Sequence, residues 1–166
     1  RYAQNSILNN QKIFGRLKEN DAENGLEYSV YGYSEDLANI FDDNLNTNHS
    51  NIVGWAFDGN PIYGPYGYTD GDDIQSGISL ITPSYSLDTS SVIDRPSTST
   101  FAPGFFVEDY KFNDGGNLDV HNGRFCKTPE FPNGTYAYFA GVTTSNVVNK
   151  LVPQYPYFVG NTFKSE

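Results

Sequence analysis

The chain has 166 residues, a net charge of −10 and a single cysteine. A chain of this length buries enough surface to fold as one domain, and one cysteine excludes an intrachain disulfide. The ten Lys and Arg residues are scattered along an acidic chain, which excludes a phosphate-binding surface and therefore nucleic acid as a partner. No apolar run is long enough to predict a membrane span.

The first 25 residues are polar and rich in Asn, with a weak helical spacing of apolar residues between positions 7 and 17. Residues 1–25 are therefore predicted to be a linker or the end of a preceding element, and residues 26–166 to be one domain. The sequence contains no methionine, and we expect it to be a piece of a longer protein.

Residues 26–41 predict a strand followed by a short helix. Apolar residues alternate with small or polar ones over 26–33, as in a half-buried strand. Ser34 precedes two acidic residues and then apolar residues at helical spacing, which predicts an N-capped helix of two turns. The polar residues 42–51 are predicted to be a turn region, with His49 facing solvent.

The next segment combines a strand with a turn that is rich in aromatic residues. Residues 52–57 are predicted to be a buried strand, and Asp58-Gly59 to be a turn that tolerates positive φ. Pro61 and Pro65 fix φ after that turn. We expect the tyrosines that follow to be held rigidly.

The second half of the chain predicts two clear strands between long loops. Residues 76–100 are rich in Ser, Thr and Pro and are predicted to be a surface insertion. Alternation predicts the clearest strand over 105–112 and a second over 134–141, which is expected to pack against the aromatic turn. Pro156 donates no ladder hydrogen bond, so 155–159 is predicted to be an edge or irregular strand.

These elements predict a mainly β fold, a single compact sandwich or irregular barrel with one short helix and long ordered loops. The 13 Tyr and 12 Phe residues favour such a β-rich body over a helical bundle.

Several blocks of the chain resemble one known family. DGNPIYG over 58–64, LDVHNGR over 118–124, PNGTYAYF over 132–139 and YPYFVG over 155–160 match a pattern of DG-x-PIYG, LD-x-x-NGR, PDGTYHYH and FPYFIG. By these motifs the chain resembles the YHYH domain family. The matching blocks cover about two thirds of the chain, from residue 52 to residue 164.

A closer resemblance is to YHYH-like modules in very long structural proteins of marine cyanophages. DGNPIYGPYGY, RPSTSTFAPGFFVEDY and HNGRFC-x-TP-x-FPNGTYAYFA occur there in the same order. This resemblance implies a structural or interaction module of a virion protein, from a tail fibre or another appendage. Its partners would be other virion chains or domains of the same long chain, with host-surface glycan as a further contact. The protein would be made in the host cytoplasm and be extracellular in the mature virion.

The chain departs from the family at the motif that names it. Ala137 and Phe139 stand where the family has two histidines, so no transition-metal site or proton shuttle is expected at those positions. No cofactor is required by this interpretation. Cys126, the single cysteine, is expected to be a buried free thiol.

An enzyme remains an alternative, either metal-dependent or hydrolytic. Asp58, Asp119, His121 and Arg124 offer carboxylates, an imidazole and an anion clamp. Alternatively, Asp119 and Arg124 pair with each other or bond to the backbone to fix the turn at Asn122. Convergence of these side chains in a cleft would favour the enzyme, and turn-fixing hydrogen bonds would favour a structural role.

The tyrosines predict a second type of site. Aromatic faces stack on sugar rings while hydroxyl and amide groups hydrogen-bond to them, although aromatic residues of a β domain also form its core. The candidate binding residues from both arguments are Asp58, Asn60, Tyr63, Tyr66, Asp119, His121, Asn122, Arg124, Tyr136 and Tyr138.

Two acidic loops of the sequence are candidates for binding calcium, the one cofactor considered. Hard cations bind carboxylate, amide and carbonyl oxygens that are grouped on tight turns. Neither of the two loops has the residue spacing of an EF-hand. The alternatives are ordinary turns or a calcium-stabilised extracellular adhesion module. The candidate ligand sets are Asp70, Asp72 and Asp73, or Asp114, Asn117 and Asp119.

Overall fold

The computed structural model of the chain describes residues 15–19, 26–30, 32–43, 47–145 and 150–165. The described strands are β1 Gly15–Glu19, β2 Leu26–Val30, β3 Ile52–Trp55, β4 Pro61–Tyr63, β5 Tyr66–Tyr68, β6 Ile78–Leu80, β7 Tyr85–Leu87, β8 Tyr110–Phe112, β9 Gly123–Cys126, β10 Thr135–Phe139, β11 Val142–Ser145 and β12 Lys150–Pro153. Helix α1 is Glu35–Phe41, and a 3-10 helix covers Val107–Asp109. No helix in these ranges is long and apolar enough to cross a membrane.

A four-stranded mixed sheet in the order β3-β4-β10-β9 forms the centre of the molecule. Strand β10 pairs in parallel with β4 and antiparallel with β9. The other sheets of the described ranges are the two-stranded pairs β1-β2, β5-β6, β7-β8 and β11-β12. These sheets do not close into a barrel. The prediction of a mainly β fold is confirmed, in its sandwich-like form.

Strand β10 alternates between two buried layers, because successive side chains of a strand point to opposite faces. Ala137 and Phe139 pack on one side in a cluster with Tyr63, and we call this side the Phe139 face. Tyr136 and Tyr138 pack on the other side, which we call the Tyr138 face. The rings of Tyr63 and Phe139 stack with centroids 5.8 Å apart, which confirms the predicted packing of the aromatic turn on this strand.

The short helix begins as predicted. The Ser34 hydroxyl accepts a hydrogen bond from the amide of Leu37 at 3.2 Å and caps α1. The weak helical spacing before residue 18 does not correspond to a helix at Leu17, which lies in β1 and pairs with Tyr28 of β2. The other apolar residues of that spacing lie outside the described residues.

The strand predicted over 105–112 is wrong in its first half. Only β8 is a strand, and the 3-10 helix precedes it. The buried carboxylate of Asp109 accepts hydrogen bonds from the amides of Gly104 and Phe106 and pairs with Arg95 at 2.5 Å. These bonds turn the chain where alternation predicts an extended strand.

The strand predicted over 155–159 is also wrong, because these residues form turns. The amide of Tyr157 donates to the carbonyl of Gln154 at 2.8 Å, and the amide of Phe158 donates to the carbonyl of Pro156 at 3.0 Å. These local bonds replace a sheet ladder, and the strand of this region is β12, just before the turns.

The predicted surface insertion over 76–100 contains part of the core. Strands β6 and β7 lie within it, and the side chain of Ile81 is fully buried. The amide of Ile81 donates to the carbonyl of Pro65 at 2.8 Å, which ties this segment to the aromatic turn. The strand predicted over 52–57 is shorter than expected, and its predicted burial is wrong: β3 ends at Trp55, its residues are partly buried or exposed, and Phe57 is exposed.

His49 is buried, so its predicted orientation toward solvent is wrong. Its ring lies 4.9 Å from that of Tyr63 and 5.1 Å from that of Tyr68, centroid to centroid. Its Nδ1 atom lies 2.9 Å from the carbonyl oxygen of Ser50. Burial lowers the pKa of His49 because the charged imidazolium loses hydration.

Candidate functional site

The turn between β3 and β4 positions Asp58 at the edge of the Tyr138 face. Gly59 takes φ of 83°, as the sequence predicts for this turn. The carboxylate of Asp58 accepts hydrogen bonds from the backbone amide of Asn60 at 3.2 Å and from its side-chain amide at 2.9 Å. The turn therefore fixes the orientation of this carboxylate.

A second turn, before β9, positions Asp119. Its Oδ1 atom accepts hydrogen bonds from the amides of His121 at 2.9 Å and Gly123 at 3.3 Å. Asn122 occupies the left-handed region of this turn with φ of 65°. Its buried side-chain amide donates to the carbonyls of Phe139 and Phe158, so Asn122 joins three segments of the fold.

Two tyrosines of β10 connect these turns. The Tyr138 hydroxyl donates to Oδ2 of Asp58 at 2.6 Å, and the Tyr136 hydroxyl donates to Oδ1 of Asp119 at 2.8 Å. The two rings meet edge to face with centroids 5.2 Å apart. We call Asp58, Asp119, Tyr136 and Tyr138 the carboxylate-tyrosine cluster.

The electrostatics of this cluster keep its phenols protonated and one carboxylate charged. Burial, and then the adjacent carboxylates, raise the pKa of Tyr136 and Tyr138 above the usual range. Partial burial raises the pKa of Asp58, but hydrogen bonds from Tyr138, Asn60 and the amide of Ser165 outweigh it and lower the pKa overall. The phenols are thus donors, and Asp58 is an acceptor.

Residues 160–165 of the same chain lie across the cluster, and we call them the strap. The amide of Gly160 donates to the carbonyl of His121 at 2.8 Å, and Nδ1 of His121 lies 2.9 Å from the hydroxyl of Thr162. The amide of Lys164 donates to the Tyr138 hydroxyl at 2.8 Å. The carboxylate-tyrosine cluster is therefore covered by main chain of this segment.

Side chains of the strap complete the contact. Lys164 Nζ lies 3.7 Å from Oδ2 of Asp119 and 5.3 Å from the centroid of the Tyr136 ring. Phe163 packs against the hydrophobic cluster of the Tyr138 face, and its ring meets the ring of the exposed Phe57 edge to face.

Arg124 does not join the other three residues of the predicted enzyme site. It pairs across β9 and β10 with Ala137, so its side chain lies on the Phe139 face. There it donates to the carbonyl of Tyr68 at 2.6 Å and lies 5.3 Å from the ring centroid of Phe139. The central sheet separates Arg124 from Asp119, so the two residues do not pair; each hydrogen-bonds to the backbone instead, which was the other alternative at the sequence level. The turn-fixing role predicted for Asp119 is confirmed.

The predicted tyrosine platform lacks exposed ring faces. Tyr63 and Tyr138 are fully buried, and Tyr66 and Tyr136 are nearly so. The Tyr63 hydroxyl donates to Thr128 or Glu130, at 2.9 Å in each case. These rings belong to the core, which was the alternative at the sequence level.

The positions of the family's two histidines point into the buried Phe139 face. Phe139 lies there with its ring centroid 6.0 Å from that of His49, and Cys126 is fully buried in the same cluster. Cys126 is a buried free thiol, as predicted, and burial raises its pKa. Across the described ranges, no group of three or more His, Cys, Asp or Glu residues is placed to hold a metal ion.

The acidic loop at 70–73 uses two of its carboxylates to fix its own turns. Asp70 accepts a hydrogen bond from the amide of Asp72 at 2.9 Å, and Asp73 accepts one from the amide of Gln75 at 2.8 Å. Calcium binding at this loop stays a prediction.

The second candidate calcium loop places its ligands apart. Asp114 lies in a turn with φ of 55°, while Asn117 accepts hydrogen bonds from the amide and hydroxyl of Thr82. Asp119 belongs to the carboxylate-tyrosine cluster. The side-chain oxygens of Asn117 and Asp119 thus bind different partners, and calcium binding here too stays a prediction.

The fold and this site define a mainly β module whose motif residues bind one another across the central sheet. The chain belongs to the YHYH protein family, which matches residues 15–152. The match begins before the domain start predicted at residue 26. No curated protein and no solved structure matches the chain.

Sequence reasoning missed the strap, although it identified most of the residues beneath it. Thr162, Phe163 and Lys164 show no motif or periodicity that predicts a return to β10. Their partners are His121, Asp119 and the β10 tyrosines, which lie at least twenty residues earlier in the chain. The contact therefore depends on tertiary structure alone.

Proposed function

We propose that the chain is a structural or interaction module of a large phage virion protein, located in a tail fibre or another appendage. The resemblance of its motif blocks to YHYH-like modules of cyanophage structural proteins supports this role. Its partners would be other virion chains or neighbouring domains of the same long chain.

One observation gives the strongest support to a structural role of the module. Residues of four separate motif blocks bind one another: Tyr138 to Asp58, Tyr136 to Asp119, and Asn122 to the carbonyls of Phe139 and Phe158. These bonds cross-link loops that would otherwise move independently. A rigid module of this type suits a load-bearing part of a particle.

The enzyme alternative has less support. It requires Asp119, His121 and Arg124 on one side of the sheet, and Arg124 lies on the Phe139 face.

Purified particles of a phage that encodes this chain provide the test. An antibody raised against the recombinant domain should label the tail or an appendage in immunogold electron microscopy, and peptides of the chain should appear in the particle proteome. Its presence in infected-cell extracts but absence from washed particles would overturn the proposal.

Contact with host-surface glycan would use different aromatic residues from those predicted. Trp55 and Phe57 are 59% and 99% exposed and lie just before Asp58 in the chain. Exposed aromatic faces beside carboxylate and amide groups suit sugar rings. Binding to host polysaccharide should fall in Trp55→Ala and Phe57→Ala but persist in Leu87→Ala, a control at an exposed apolar residue. Equal binding by all three variants would contradict this use of the surface.

A further inference from the structure

We propose that the carboxylate-tyrosine cluster is a peptide-binding site that recognises a Phe-Lys-Ser segment, supplied in this structure by the chain's own strap. The same segment of a second copy would fit the site in the same way. This inference goes beyond the proposed function and holds whether or not the chain belongs to a virion.

The site recognises main chain through fixed polar groups. The Tyr138 hydroxyl accepts a hydrogen bond from the amide of Lys164 at 2.8 Å, and the backbone amide of Ser165 lies close enough to the carboxylate of Asp58 to help lower the pKa of that group. Both acceptors are oriented by the β3-β4 turn and the buried face of β10. Lys164 and Ser165 lie in a turn, and these acceptors meet two consecutive amides of that turn.

Two side-chain positions supply specificity. The aromatic position holds Phe163 against the buried cluster that includes Ala56 and Tyr138. The cationic position places Lys164 Nζ beside Asp119 and over the Tyr136 ring. A carboxylate combined with an aromatic face suits an ammonium group, and two aspartates disfavour an acidic residue there.

The strap is attached to the body in a way that allows its release. Before it, Tyr155 and Tyr157 are buried and anchor the chain, and Gly160 is held by the carbonyl of His121. Beyond Gly160 the strap is mostly exposed, with Lys164 contacting the cluster from the surface. Release from residue 161 onward would uncover the site without disturbing the anchor, and exchange between identical chains restores the same contacts.

The test uses a variant of the full chain that carries both Phe163→Ser and Lys164→Ala, which weaken the contacts of the strap. Its ligand is a fluorescent peptide with the sequence of residues 159–166. Anisotropy should show the peptide binding the variant at least tenfold more tightly than the wild type, because the resident strap competes in the wild type. Replacing the lysine of the peptide by alanine should weaken binding about fivefold. A peptide with the same residues in scrambled order should bind weakly or not at all.

Adding Asp119→Asn to the strap variant tests the site itself. This change should reduce the preference for lysine over alanine in the peptide to the part that the Tyr136 ring contributes. If the strap variant is poorly folded, adding the peptide should restore its thermal transition. Failure of the peptide to bind a folded variant or to restore an unfolded one, or equal binding of the scrambled peptide, would overturn the inference.

Discussion

Tyr138 is the residue whose substitution tests the site and the core together. Its ring is fully buried, so Tyr138→Ala removes a large side chain from the core and is expected to cost about 3–5 kcal/mol of unfolding free energy. Tyr138→Phe keeps the ring and removes only the hydroxyl, which bonds to Asp58 and to the amide of Lys164. Hydrogen bonds to charged groups contribute about 1.5–3 kcal/mol each. The lower end of that range is expected here because Asp58 keeps its two bonds from Asn60.

Urea unfolding of the wild type and both variants, followed by circular dichroism, measures these free energies. Phe125→Leu is the matched control, since Phe125 lies opposite Tyr136 on the neighbouring strand but is exposed. It should change the free energy of unfolding by less than about 0.5 kcal/mol. A Tyr138→Ala variant as stable as the control would place this ring outside the core and refute the assignment of the Tyr138 face.

The loss of unfolding free energy in Tyr138→Phe should depend on pH in a defined direction. The hydrogen bond from Tyr138 helps to lower the folded-state pKa of Asp58, so its contribution is present above the unfolded-state pKa of about 3.9. It is lost as the pH falls through the lower folded-state pKa. The difference between wild type and variant should therefore shrink between pH 5 and pH 3, and a difference that grew in acid would contradict the bond.

Three further predictions concern residues outside the cluster. Because burial lowers the pKa of His49, the wild type should lose stability as the pH falls below about 6.5. In His49→Phe the melting temperature should depend less on pH between pH 7 and pH 5. The same pH dependence in the variant and the wild type would contradict the burial of His49. Arg95→Met should lower the melting temperature, because it leaves the buried carboxylate of Asp109 without its charged partner. The difference in melting temperature from the wild type should shrink below pH 4, because Arg95 holds the pKa of Asp109 low. A difference that does not depend on pH would argue against the Arg95–Asp109 pair. A Cβ on Gly160 would lie 2.5 Å from a backbone carbonyl oxygen, whereas a Cβ on Gly54 meets nothing within 4 Å. Gly160→Ala should therefore lower the free energy of unfolding in urea by about 1–3 kcal/mol, and Gly54→Ala should lower it less. Equal losses in the two variants would show that the strap is not held at Gly160.

Local patterns predicted the elements that local interactions decide. The Ser34 cap and the strand β10 are predicted from neighbouring residues, and both are present. The turn at Asp58 follows from the conformational freedom of the glycine after it. These features need no knowledge of distant contacts.

The wrong predictions share a dependence on distant partners. The segment before β8 alternates like a strand, but Asp109 bonds Arg95 and turns the chain. His49 stands in a polar stretch, and its aromatic partners Tyr63 and Phe139 follow much later in the sequence. Polar surroundings in sequence therefore did not predict solvent exposure.

The candidate site was predicted in its residues but not in its arrangement. The motif blocks identified both carboxylates, both β10 tyrosines and His121, all of which gather around the strap. Arg124 was placed with them because it is close in sequence to Asp119. The two residues face opposite sides of the sheet, which only the strand register determines.

Hydrogen exchange at the amide of Lys164 tests most directly whether the carboxylate-tyrosine cluster holds the strap. In the wild type this amide should be protected from exchange, because it donates to the buried Tyr138 hydroxyl. In Tyr138→Phe its protection should be lost, while the amide of Gly160, which bonds the carbonyl of His121, should stay protected. Free exchange of the Lys164 amide in the wild type, or equal protection in the two proteins, would contradict the account.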